Sequence, residues 1–223
     1  RKAIIDLAAR RPEDPIIQLE AAISLLTGKK HREALQLLEV ISKRLPSYSY
    51  VWAIKCWAEV ESGQPAKAVE TASHAIALNP QNSLIWHNLG YINLKQGKLK
   101  PALWCYRRAI QANPNSGTTH RDLGLVLAKL KKYPEAKEAL EDAIRCGLKT
   151  PEVYSNLGYV LAKMGHLDQA IANYRKAIMA CPHIVQPYRN LVKLLTSRGK
   201  LEECVEVLKL GLQTIPGHPV TVS

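Results

Sequence analysis

An all-α solenoid of stacked antiparallel helix pairs is the fold this sequence predicts, and three observations carry the prediction. Prolines recur at Pro12, Pro46, Pro80, Pro114, Pro182 and Pro216, spaced by 34, 34, 34, 68 and 34 residues. Small residues recur in the same register. Each period holds two apolar-periodic segments of about 14 residues, long enough for helices. Self-similarity at a fixed period of this length marks a repeat architecture, in which each unit buries its apolar face against the next.

Setting the prolines at position 32 divides the chain into repeats 15–48, 49–82, 83–116, 117–150, 151–184 and 185–218, all in one solenoid domain. Within 1–14, Lys2 to Arg10 fit the second helix of a preceding partial repeat. The first helix of a repeat ends at Gly63, Gly97, Gly165 or Gly199; glycine enters the left-handed region without a Cβ penalty. The second often opens with proline (Pro65, Pro101, Pro134), tolerated where the first-turn N–H has no intrahelical partner. It stops before the position-32 proline, which disfavours helical backbone in the residue before it. The one gap in the proline series falls at Leu148, where Cys146, Gly147 and Pro151 supply the stop. Residues 219–223 would begin a further repeat or a tail. The last second helix stays apolar at Val205, Val207, Leu208, Leu210 and Leu212, so a longer chain or a second copy is expected to cover it.

Position 8 is Gly90, Gly124 and Gly158, and position 20 is Ala34, Ala68, Ala102, Ala136 and Ala170. These small residues let the two helices of a hairpin approach. Position 4 is Trp52, Trp86, Tyr154 and Tyr188, and bulky residues there and at positions 7, 11 and 24 fill the remaining space. The first repeat departs with Gln18 and Ala22, the last with Val192 and Cys204. The pattern closely resembles the tetratricopeptide repeat family over essentially the whole chain. That resemblance implies a right-handed superhelical α-solenoid, a concave groove lined by positions 2, 5, 6, 9, 12 and 13 of the first helices, and work in protein–protein interaction.

Composition narrows the partners. Lys plus Arg number 31 against 19 Asp plus Glu, a formal charge of +12, which favours anionic partners. No apolar run approaches the ~20 residues that span a bilayer, so no membrane insertion is expected. The cysteines Cys56, Cys105, Cys146, Cys181 and Cys204 are odd in number and share no CxxC spacing, which argues against a disulfide framework or a zinc site. Free thiols and the lack of a glycosylation sequon suit a reducing, cytoplasmic setting. Phosphate-loop, dinucleotide, zinc-protease and nucleophile-elbow motifs are absent, the seven histidines are scattered, and Glu202-Glu203 and Glu141-Asp142 read as solvated charge on second helices. No catalytic constellation, cofactor or metal site is expected.

The candidate binding residues are those the packing does not need. By the family resemblance, position 6 faces the groove, and there stand Asn88, Asp122, Asn156 and Asn190. An asparagine amide both donates and accepts, so it can clamp an extended backbone; the partial ladder resembles the one in the repeat domain of O-linked N-acetylglucosamine transferases, where it binds peptide backbone. Lys95, Lys129 and Lys163 hold position 13, Arg121 and Arg189 position 5, and Lys193 position 9. Together they would make the groove positive. Trp57, Tyr91 and Tyr159 at position 9 add aromatic platforms, typical interface anchors. The chaperone-tail clamp of the family is not reproduced, because positions 5 and 9 read Ala53/Trp57, His87/Tyr91, Arg121/Leu125 and Ser155/Tyr159.

Three functions compete. The leading one is a non-catalytic scaffold holding a protein or peptide, acidic by the charge argument, in the concave groove. The second is the substrate-recognition arm of a larger enzyme with glycosyltransferase-like architecture. The third, RNA binding, is motivated by the charge but opposed by the strict 34-residue period, since RNA-reading pentatricopeptide repeats typically run to 35. Self-association through exposed repeat ends is a further expectation.

Overall fold

The computed structural model describes residues 2–215, so Pro216 and the expected start of a further repeat at 219–223 lie outside the described residues. Among the described residues there are thirteen helices and no strand. The chain divides into two compact units, one ending at Pro114 and one beginning at Asn115.

The first unit holds α1 (Lys2–Arg10), α2 (Pro15–Thr27), α3 (His31–Arg44), α4 (Ser49–Glu61), α5 (Pro65–Leu78), α6 (Ser83–Lys95) and α7 (Leu99–Ala112). Its hairpins are α2/α3, α4/α5 and α6/α7, with α3 on α4, α5 on α6, and α4 in direct contact with α6. The second unit holds α8 (Gly117–Lys129), α9 (Tyr133–Arg145), α10 (Pro151–Lys163), α11 (Leu167–Ala180), α12 (Val185–Ser197) and α13 (Leu201–Thr214). Its hairpins are α8/α9, α10/α11 and α12/α13, and α10 touches both α8 and α12. First helices therefore neighbour first helices within each unit, which brings residues one period apart onto one wall.

Local chemistry explains the boundaries. Asp14 caps α2 by accepting from the Ile16 and Ile17 amides at 3.0 and 3.2 Å. Asn82 caps α6 by accepting from the Leu84 amide at 3.1 Å, and its own amide donates to Ser49 Oγ at 2.9 Å. Such caps satisfy first-turn N–H groups that have no intrahelical partner. Position 15 has left-handed backbone at Gly63 (φ 76), but also at Lys29 and Lys131 (φ 60 each); those lysines adopt a conformation that costs a side-chain-bearing residue about 1–2 kcal/mol. The aromatic at position 4 is tied to the position-32 proline of the repeat before it: Trp52 Nε1 donates to the Pro46 carbonyl at 2.8 Å, and Trp86 Nε1 to Pro80 at 2.7 Å. Both recurring positions thus fix how one hairpin docks on the next.

The small residues pack as their spacing predicts. A Cβ on Gly90 would stand 2.7 Å from the Tyr106 ring, one on Gly124 2.7 Å from Leu140 Cγ, and one on Gly158 2.8 Å from Tyr174. In the hairpin α4/α5, by contrast, position 8 is Cys56, fully buried, and the facing residue at position 24 is Ala72. Its thiol donates to the Ala68 carbonyl at 3.3 Å, and burial pushes its pKa up to about 12. None of the five cysteines forms a disulfide; Cys56, Cys105 and Cys204 are buried, Cys146 and Cys181 half-buried.

Candidate functional site

In the second unit, several of the expected site residues lie around α10. One cavity, about 260 Å³, lies between α10 and α12. Tyr159 and Lys163 form its α10 wall, Asn190 and Lys193 its α12 wall, and Tyr174 and Leu194 its apolar lining. No carboxylate lines it. Lys163 Nζ sits 5.6 Å over the Tyr159 ring, a pairing that positions the ammonium while leaving its charge available. Tyr174 is only 3 % exposed, and burial drives its phenol well above the ordinary value, so it stays neutral and offers an apolar face.

A second cavity, about 320 Å³, opens toward the N-terminal end of α10, where Arg121, Asp122, Glu152, Ser155, Asn156 and Gln186 line it. Arg121 Nε donates to Asp122 Oδ1 at 2.8 Å, which ties that cation to an acid beside it. Asn156 is half-buried in this wall. The two cavities are joined by Gln186, whose amide donates to Asn190 Oδ1 at 2.9 Å. Asn156 and Lys163 are seven residues apart on one helix, or about 10 Å at 1.5 Å per residue. An extended peptide covers that distance in roughly three residues.

Not every expected residue joins this wall. Lys129 on α8 and Arg189 on α12 are exposed, but neither lines the two cavities. In the first unit, Asn88 is 5 % exposed and its amide donates to the Ala53 carbonyl at 2.8 Å. That asparagine ties α6 to α4. Trp57 packs against the cluster around Leu19, Leu38 and Ile54, so much of its ring serves the core. Tyr91 carries Lys95 Nζ 5.1 Å over its ring, and a hydrogen bond with the Tyr91 hydroxyl is the main reason the Lys95 ammonium is held above its ordinary value. The i,i+4 pairing of position 9 with position 13 recurs at Tyr159/Lys163; reading the aromatics and lysines as separate sets missed it.

Tyr174 was also missed as a cavity residue, because position 24 read as packing, and Leu194 because position 10 was assigned to neither the packing nor the groove. Among the described residues no group of His, Cys, Asp and Glu is placed to hold a metal, and no helix is long and apolar enough to cross a membrane.

Comparison with known proteins follows the same lines. Family models of the tetratricopeptide repeat match residues 71–101, 102–151 and 151–183, together more than half of the chain. No curated protein sequence matches it. Among solved structures, the chain is similar to one from the crystal structure of the APC/C hetero-tetramer Cut9–Hcn1, with 18 % identity and a TM-score of 0.80 over 96 % of this chain. It spans only 42 % of that larger chain. PilF of Pseudomonas aeruginosa gives 19 % identity and a TM-score of 0.79, covering 94 % of this chain and 96 % of that one. YrrB, described as a tetratricopeptide repeat protein with an unusual peptide-binding site, gives 18 % identity and a TM-score of 0.68 over 82 % of this chain and 94 % of that one. At these identities the likeness establishes the helical-repeat fold.

Proposed function

The chain belongs to the tetratricopeptide repeat family, whose members generally mediate protein–protein interactions, and on that premise we propose that its second unit holds an extended, acidic segment of a partner protein along α10 and α12. One observation carries this reading. The cavity between those helices brings together Tyr159, Lys163, Asn190 and Lys193 with no carboxylate in its wall. An apolar side chain of the segment enters against Tyr174 and Leu194, flanking carboxylates meet Lys163 and Lys193, and Asn156 and Asn190 are spaced to hydrogen-bond its backbone. The chain acts as a non-catalytic scaffold, and cysteines without a disulfide among them suit a cytoplasmic setting.

Fluorescence anisotropy with a short labelled peptide of aspartates around one phenylalanine tests the placement. Lys163→Glu with Lys193→Glu is expected to weaken binding by roughly a hundredfold, about 2.8 kcal/mol, and Tyr159→Ala by roughly tenfold. The same charge change at Lys209, outside the cavity, should leave affinity within about twofold. Equal loss in all variants, or none, overturns it.

A further inference from the structure

A separate polar notch lies in the first unit. Leucine fills position 7 at Leu89, Leu123, Leu157 and Leu191, and position 11 at Leu25, Leu127, Leu161 and Leu195. The repeat 49–82 has Lys55 and Glu59 in those places. The outcome is a cavity of about 510 Å³ bounded by α3, α4 and α5, with Leu35, Glu39, Lys55, Glu59, Lys67 and Glu70 in its wall.

Glu59 is only 4 % exposed, and its Oε2 is enclosed without a hydrogen-bond partner. Leaving a buried carboxylate oxygen unsatisfied is costly, and a leucine there would avoid the cost. Burial raises the Glu59 pKa, against the pull of the Thr71 hydroxyl and of Lys55 and Lys67. Lys55 is already paired with Glu39 at 2.7 Å. The wall's carboxylates, Glu39, Glu59 and Glu70, outnumber its ammonium groups, Lys55 and Lys67, in a chain whose overall charge is +12. The local sign is opposite to the global one.

We propose that this notch receives a single arginine side chain of a partner protein, its guanidinium against Glu59 and its stem along Leu35. A guanidinium presents five donors in a planar fork, matches a carboxylate bidentately, and is more weakly hydrated than an ammonium, so it gives up less on leaving water. The neighbouring cavity shares Leu35 and Gln64 and carries Lys29, Lys30 and Arg32. Those charges repel a run of basic residues and favour a lone arginine. The site is distinct from the α10/α12 wall, and either can fail without the other.

The test is an NMR titration of the full chain with N-acetyl-arginine amide. Saturable shifts are expected on amides of α3, α4 and α5, and the neutral isostere, N-acetyl-citrulline amide, should bind at least roughly tenfold more weakly. Glu59→Leu installs the residue other repeats carry and should abolish the shifts while helicity is kept. Glu59→Gln, which preserves volume, should weaken them by roughly tenfold or more. Equal responses to arginine and citrulline amides, shifts confined to other helices, or shifts that persist in both variants overturn the proposal.

Discussion

Helices α4 and α10 open equivalent repeats and have the same length, 13 residues, yet they distribute polarity in opposite ways. At position 6, α4 has Ile54 in the core and α10 has half-buried Asn156 beside a cavity. At positions 7 and 11, α4 has Lys55 and Glu59 lining a notch, whereas Leu157 and Leu161 of α10 are buried. At position 8 the sizes are exchanged across the hairpin: Cys56 faces Ala72, while Gly158 faces the Tyr174 ring. The backbone of a repeat therefore tolerates opposite choices of polarity, provided the summed volume between its two helices is kept. The candidate peptide wall and the arginine notch are two uses of that freedom.

The size exchange should be the most sensitive part of the comparison. Gly158→Cys puts a side chain into Tyr174 and is expected to cost about 1–3 kcal/mol in urea unfolding. Adding Tyr174→Ala rebuilds the arrangement of α4/α5, so the double variant should lose less than the two single losses combined; strict additivity would break the volume argument.

Polarity comes next. Glu59→Leu is expected to raise stability by about 1 kcal/mol at neutral pH. Because the folded-state pKa of Glu59 is raised above its ordinary 4.5, the folded protein holds that proton more tightly than the unfolded chain. Its contribution to stability is present at low pH and lost as pH rises through the raised value. The advantage of the leucine variant should therefore widen with rising pH from about 4.5, and urea melts at several pH values would expose a gap that narrows instead. The smallest effect concerns the turns. Lys131 occupies left-handed backbone where Gly165 stands one repeat later, so Lys131→Gly should gain about 0.5 kcal/mol by thermal unfolding, whereas a loss would mean that the lysine side chain contributes there.

Much of the fold is legible in the chain. Helices open at Pro15, Ser49, Ser83, Gly117, Pro151 and Val185, each 34 residues after the last, because stop signals and small packing residues act locally and recur. The candidate site is legible only in part. Tyr159, Lys163, Asn190 and Lys193 emerge from the period, but the period also makes Asn88 their equal. Its amide is instead bound to the Ala53 carbonyl. Helix α4 is more extensively in contact with α6 than α10 is with α8 or α12, and that contact places the Ala53 carbonyl against the Asn88 amide. Lys55 and Glu59 were visible as departures from leucine, but the cavity they line depends on the spacing of α3 and α5.

By itself, the sequence determined helix type, helix ends and the register in which hairpins dock, since these follow from backbone preferences and from steric volume at recurring positions. Tertiary structure alone decided which repeated side chains stay available for a partner. Availability depends on how closely the neighbouring helix approaches, and that approach is set by residues a full period away.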